Sequence, residues 1–148
     1  MVAPSAITVE RLAEHAQRMS AHPSLQAFGV RLSYPDTAIV RIDVDAIPLS
    51  MRGGIGDDAI VNGGALSALC DLLIGSTWAL VDDAARSATV QLSIRFERPL
   101  RGDRISGVAR VDHRTRRTVF ASAELRDADG QVCVRCQGLV ALLRPSRK

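Results

Sequence analysis

The chain has 148 residues, 24% of them charged, and a formal net charge of +3, with a pI near 9.1. That length suits one domain, residues 1–148, able to bury roughly 70% of its unfolded surface. The mild positive balance fits the handling of small anions and falls short of what nucleic acid demands, and no secretory leader is read at the start.

Residues 7–19 place Leu12, Ala16 and Met19 on one face, the pattern of an amphipathic helix that Pro23 closes. Residues 26–33 and 37–46 read as a strand pair turned at Tyr34, Pro35 and Asp36. In the second strand Ala38, Val40, Ile42 and Val44 alternate with Ile39, Arg41, Asp43 and Asp45. Residues 48–61, rich in Gly and Asp, read as loop. A long apolar helix follows over about 63–81, and four strand-like runs complete the chain at 87–98, 104–113, 117–127 and 131–143. In the first of these runs, Val90, Leu92, Ile94 and Phe96 oppose Thr89, Gln91, Ser93 and Arg95. Short connections favour antiparallel neighbours. The order predicts an α+β fold: an antiparallel sheet of five to six strands wrapped around the central helix, with an N-terminal helix beside it.

Cys70, Cys133 and Cys136 read as free thiols of a reducing cytoplasm. Cys133 and Cys136 have half the spacing of a zinc or redox motif. They lack a second pair and a histidine, and strand residues three apart face opposite sides, so no metal site is expected. His15, His22 and His113 read as structural, and Trp78 as core. Asp71 and three glycines inside the apolar helix argue against a membrane span.

Asp71 is the residue that most needs a reason. Leu66, Leu69, Leu72, Leu73, Ile74, Trp78, Leu80 and Val81 leave its helix without a polar face, which is the pattern of a buried helix. A carboxylate in dry surroundings shifts its pKa, finds a partner or has a chemical task. The bland alternative puts Asp71 on a small solvated strip with Ser67 and Gly75. Asn62 is a favoured N-cap, and Gly63 and Gly64 begin the helix with bare backbone N–H groups open to a ligand oxygen.

These residues, in this order, resemble the hotdog-fold acyl-CoA thioesterases, specifically the phenylacetyl-CoA thioesterase (PaaI-like) group, over nearly the whole chain beyond residue 24. The family's signature is His-Gly-Gly at the start of the central helix with an acidic residue nine positions after the His. Here Asn62, Gly63 and Gly64 stand there, and Asp71 is nine positions on. Thr89 falls where the family carries a Ser or Thr, and Arg98 to Asp103 is similar to its turn before the next strand. Two departures stand out. Asn62 replaces the His, and Gly56, beside Asp57 and Asp58, occupies the place of a frequent upstream Asn.

The resemblance implies hydrolysis of a small or medium acyl-CoA thioester, with coenzyme A as part of the substrate and no separate cofactor. The Gly64 N–H, with that of Gly63, would hold the oxyanion, and Asp71 would act as general base or as nucleophile. Thr89 would hydrogen-bond the water or the carboxylate, and Asn62 would cap the helix and lend its amide. Arg98, Arg114, Arg116 and Arg117, with Arg101 and Arg104, are candidate phosphate contacts. Gly63 and Asp71 are eight residues apart, about 12 Å along a helix, whereas reacting atoms must meet at about 3–3.5 Å. The expected solution is a homodimer, extending to a tetramer, in which two antiparallel helices share each site. No nucleic-acid or membrane partner is expected. The competing readings are a non-catalytic acyl-CoA binding or sensing protein on the same fold, and a hotdog hydratase, which would need a His that Asp71 lacks.

Overall fold

The computed structural model describes residues 6–54, 56–82 and 86–144. Helix α1, Val9–Ser20, starts at Thr8, whose hydroxyl accepts the Arg11 N–H at 3.3 Å, and buries Leu12 and Ala16. Pro23 does not merely end it. Proline is well suited to the first position of a helix, and with His22 as cap it opens a short second helix, α2, Pro23–Ala27. The strand expected over 26–33 is accordingly shortened to β1, Val30–Ser33. Strand β2, Ile39–Val44, buries Val40, Ile42 and Val44 as the alternation predicted. Asp36 shapes the turn before it by accepting the N–H groups of Ala38 and Ile39 at 2.7 and 3.1 Å.

The expected loop over 48–61 contains structure. A 3-10 turn at Leu49–Met51 leads into a two-stranded hairpin, β3 Arg52–Gly54 with β4 Asp57–Val61. Helix α3 spans Gly63–Gly75 and tightens into a 3-10 turn at Ser76–Leu80, so the central helix is α-helical over only part of its expected length. The Thr77 hydroxyl donates to the Ile74 carbonyl at 2.6 Å and the Tyr34 hydroxyl to that of Ser76 at 2.9 Å, satisfying carbonyls the α ladder has released. By length and hydropathy, residues 63–80 pass the test for a membrane span. They are instead wrapped by the sheet, as a core helix is.

The remaining strands are β5 Arg86–Phe96, β6 Ile105–Arg114, β7 Thr118–Arg126 and β8 Val132–Leu143. With β1 and β2 they form one antiparallel six-stranded sheet in the order β1-β2-β6-β7-β8-β5. Leu66, Leu69, Cys70, Leu73 and Ile74 of α3 join Ile42, Ile105, Val119, Leu125, Val134 and Val140 in the core. Two glycines let the helix settle into the sheet. A Cβ on Gly107 would lie 2.7 Å from both Leu73 Cδ1 and Leu125 Cδ2, and one on Gly138 would lie 2.5 Å from Ile74 Cγ2.

The sheet's edges differ. Strand β1 has four residues and lies under α1, where the Leu32 N–H donates to the Ser20 hydroxyl at 3.1 Å. Strand β5 has eleven residues and, among the described residues, pairs only with β8. Trp78 packs half-buried against His15, ring centroids 5.1 Å apart and edge-on. Burial, and then the charge of Arg18, lower the His15 pKa. His22 serves as the cap of α2, and His113 lies against Phe120 with ring centroids 5.8 Å apart.

Candidate active site

Asn62 builds the start of α3. Its Oδ1 accepts the Ala65 N–H at 2.8 Å, its carbonyl takes the Leu66 N–H at 3.1 Å, and its own N–H is anchored to the Met51 carbonyl at 2.8 Å. The side-chain amide reaches the Ser50 carbonyl at 3.4 Å. The first-turn N–H groups left without an acceptor among the described residues are those of Gly63 and Gly64, both exposed. The positive end of the helix therefore faces outward through two residues with no side chain. Beside it stands Phe96, 53% exposed, whose ring would lie 3.6 Å from a Cβ on Gly63. Sequence reasoning assigned this aromatic no part in the site, because it reads as one more apolar residue of an alternating strand.

Asp71 lies two turns further along. The buried-helix reading is corrected here: in the chain its side chain is exposed. The reason is a strip of small residues, with Gly63 and Gly64 exposed and Ser67 and Ala68 half-buried, that Asp71 continues. Ser67 turns its hydroxyl inward to the Gly63 carbonyl at 2.7 Å, so the strip is nearly smooth. Among the described residues the Asp71 carboxylate has neither a hydrogen bond nor an ion pair. Its neighbour Cys70 is buried, and its thiol is pushed up by a hydrogen bond with Cys136, by burial, and by the charges of Cys136 and Asp71.

Thr89 reaches the helix through a β-bulge. The register shifts between Thr89 and Gln91, leaving Val90 as the extra, 56% exposed residue. The simple alternation put Thr89 opposite Leu92 and Ile94; the bulge turns it to the same inner side, paired with Val140. There it faces Gly75, where a Cβ would stand 3.2 Å from its hydroxyl. Gly75 is one turn beyond Asp71 on the same side of the helix. Ser87, unremarked in the sequence, donates to the Gly75 carbonyl at 3.0 Å.

The structure divides the candidate arginines between the two ends of the central helix. Near its start, Arg98 donates to Gln131 at 2.6 Å and Arg101 pairs with Asp57 at 2.8 Å. Arg104 is exposed in the same turn. At the far end, Arg114 donates to the Val81 carbonyl at 2.7 Å, a cap on the last turn. Arg116 and Arg117 are exposed, and their side chains have no partner among the described residues. Cys133 and Cys136 do not converge: the Cys133 thiol lies 3.8 Å from Asp127 while Cys136 faces Cys70. Two cavities, about 560 Å³ on the outer sheet face and about 230 Å³ between α1 and Trp78, contain none of Asn62, Gly63, Gly64, Asp71 or Thr89. The helix start at Gly63 and Gly64 and the Asp71 carboxylate thus lie about 12 Å apart along one helix.

The sequence pattern of the thioesterase superfamily matches residues 59–134, just over half of the chain, and takes in the capped helix start, Asp71 and Thr89. The chain belongs to the thioesterase superfamily. Its general chemistry is thioester hydrolysis. The structure of this thioesterase-superfamily chain is similar to that of the E. coli PaaI protein from the phenylacetic acid degradation operon, with a TM-score of 0.80 and 17% identity over 94% of this chain and 98% of that one. It is also similar to thioesterase HI1161 from Haemophilus influenzae, with a TM-score of 0.78 and 12% identity over 97% and 96% of the two chains. Conserved protein PA5202 from Pseudomonas aeruginosa gives a TM-score of 0.74 and 23% identity over 86% and 99%. These likenesses establish the hotdog fold. No match was found among curated protein sequences.

Proposed function

We propose that this protein hydrolyses a small or medium acyl-CoA thioester to the free acid and CoA, at sites shared by two subunits of a homodimer. The observation that carries the reading is the pair of bare N–H groups on Gly63 and Gly64 together with an unpaired carboxylate, Asp71, on the same helix strip. Two such strips laid antiparallel would bring Asp71 of the partner subunit to the helix start. Small residues allow that close approach. The Gly64 and Gly63 N–H groups would take the oxyanion formed at the thioester carbonyl. Asp71 of the partner subunit would activate water or attack the carbonyl carbon itself, and Thr89 would orient that carboxylate or the water. The exposed β5 edge favours the same pairing, since a long unprotected edge invites a second strand. Arg116 and Arg117, whose side chains have no partner among the described residues, would meet the CoA phosphates. The three free thiols accord with a reducing cytoplasm.

One observation favours a non-catalytic acyl-CoA binder: Asn62 is occupied in capping and building the helix start. Thiol release from a panel of saturated acyl-CoAs, compared between wild type and Asp71→Asn, decides between them. Hydrolysis by wild type with a loss of about a hundredfold or more in the variant is the expected result. Equal rates in both would remove Asp71 from the mechanism. Binding of acyl-CoA without thiol release by either would make this a binding protein.

A further inference from the structure

The smaller of the two cavities, about 230 Å³, opens between α1 and the 3-10 turn at Ser76–Leu80. Arg11, Glu14, His15 and Arg18 face it from one stripe of α1, as residues three and four apart do. Ile7, Leu12, Trp78 and Ala79 supply apolar walls. It is smaller than the roughly 300–1,000 Å³ of pockets for drug-sized ligands. It lies apart from the catalytic strip, for neither Asp71 nor the Asn62 helix start lines it.

His15 is the feature here that the fold leaves unexplained. Its Nε2 is buried and has no hydrogen-bond partner among the described residues. Such an atom is an exception in native proteins and points to strain, a function or a ligand. The rings of Tyr34 and Trp78, with centroids 5.9 and 5.1 Å away, hold the imidazole without bonding that nitrogen. Its lowered pKa leaves the ring neutral near pH 7. No hydrogen bond fixes its tautomer among the described residues, so Nε2 can carry the proton and donate.

Arg18 is exposed at the same cavity, and its side chain has neither a hydrogen bond nor an ion pair among the described residues. Glu14, also exposed, is outnumbered there by Arg11 and Arg18, which disfavours a cation. A bare anion would leave the Trp78 and Leu12 walls unused. An unpaired guanidinium, an imidazole N–H and an apolar wall together complement a carboxylate with a short hydrocarbon tail.

We infer that this cavity binds a small monocarboxylic acid, its carboxylate between His15 and Arg18 and its tail against Trp78 and Leu12. The site stands independently of the thioesterase reading, although acids of this class are what thioester hydrolysis releases.

Trp78 is the single tryptophan of the chain, so its emission reports this cavity directly. Titration of the full chain with hexanoate should change that emission saturably, and calorimetry should return the same Kd. Acetate, which lacks the tail, and hexylamine, which reverses the charge, should bind at least about tenfold more weakly. Arg18→Gln and His15→Phe should each weaken hexanoate about tenfold or more, the loss of one hydrogen bond to a charged group. Melting temperatures identify which variants are folded, and Arg18, being exposed, can be replaced without disturbing the core. Asp71→Asn should keep the hexanoate response of wild type. The inference is overturned if wild type gives no saturable response by either method, or if acetate or hexylamine binds as tightly as hexanoate. Unchanged affinity in either folded cavity variant overturns it as well. Loss of the response in Asp71→Asn would move the acid to the catalytic strip and overturn it too. Acyl-CoA hydrolysis measured in parallel keeps the two readings apart, since its absence sinks the thioesterase reading and leaves the acid site standing.

Discussion

Asn62 stands where the PaaI-like pattern has a histidine, and the structure gives it a definite task. Its side-chain oxygen satisfies the Ala65 N–H that the helix cannot. Asn62→Ala should therefore cost about 1 kcal/mol and lower the melting temperature by about 2–4 °C in a domain of this size. Asn62→Asp separates the cap from the chemistry. Aspartate caps as well as asparagine, so the melting temperature should hold. Its negative charge, however, would sit beside the N–H groups of Gly63 and Gly64 and oppose a developing oxyanion. Thiol release should then fall while stability does not. An Asn62→Asp protein with unchanged turnover would mean that the oxyanion forms elsewhere.

The central helix reaches the sheet through Gly107 and Gly138, and the two should respond differently to alanine. At Gly107 the new methyl meets the terminal methyls of Leu125 and Leu73, which can rotate aside, and Ile42 Cγ1 at 3.0 Å. At Gly138 it meets Ile74 and also the Gln91 carbonyl at 3.1 Å, a backbone atom of β5 that cannot. Overpacking of this kind costs about 1–3 kcal/mol. Gly138→Ala should fall toward the upper end and Gly107→Ala toward the lower, read as a shift in denaturation midpoint at constant slope. Equal midpoints would mean that the helix sits further from β5 than described.

The same elements show what a sequence discloses. The run 131–143 announced β8 with nearly correct bounds because turn residues at Asp127 to Gly130 precede a stretch rich in Val, Leu and Cys. The β3–β4 hairpin stayed hidden because its pairing is confined to Arg52 with Val61 and Gly54 with Asp57, and Asp57 and Asp58 break its pattern. Thr89 was placed by family resemblance alone, for a bulge inverts the alternation that would otherwise have turned it away. Asp71 was misjudged in burial for a related reason. Hydrophobic periodicity records which residues are apolar, and glycine, alanine and serine can form a partly exposed strip without breaking it.

That strip is where the whole molecule bears on the chemistry. Within one chain the bare N–H groups and the carboxylate are about 12 Å apart on a single rigid helix, and no side-chain motion closes that gap. The two-fold axis of the proposed homodimer would close it, since an isologous contact would repeat each half of the proposed site on both sides. Subunit mixing tests this more directly than a molecular mass. Asp71→Asn removes one half, and Gly64→Val places a branched side chain beside the bare N–H groups of the other. Each variant alone should be nearly inactive. If the halves come from different chains, a mixed dimer contains one site with both defects and one with neither. Random reassortment makes about half of all dimers mixed, so the mixture should recover about a quarter of wild-type turnover. If both halves of a site belong to the same chain, every site in the mixture carries one defect and turnover stays at the level of the variants however long the subunits exchange. Exchange itself can be followed by energy transfer between labelled subunits, so silence after complete exchange would return the site to a single chain.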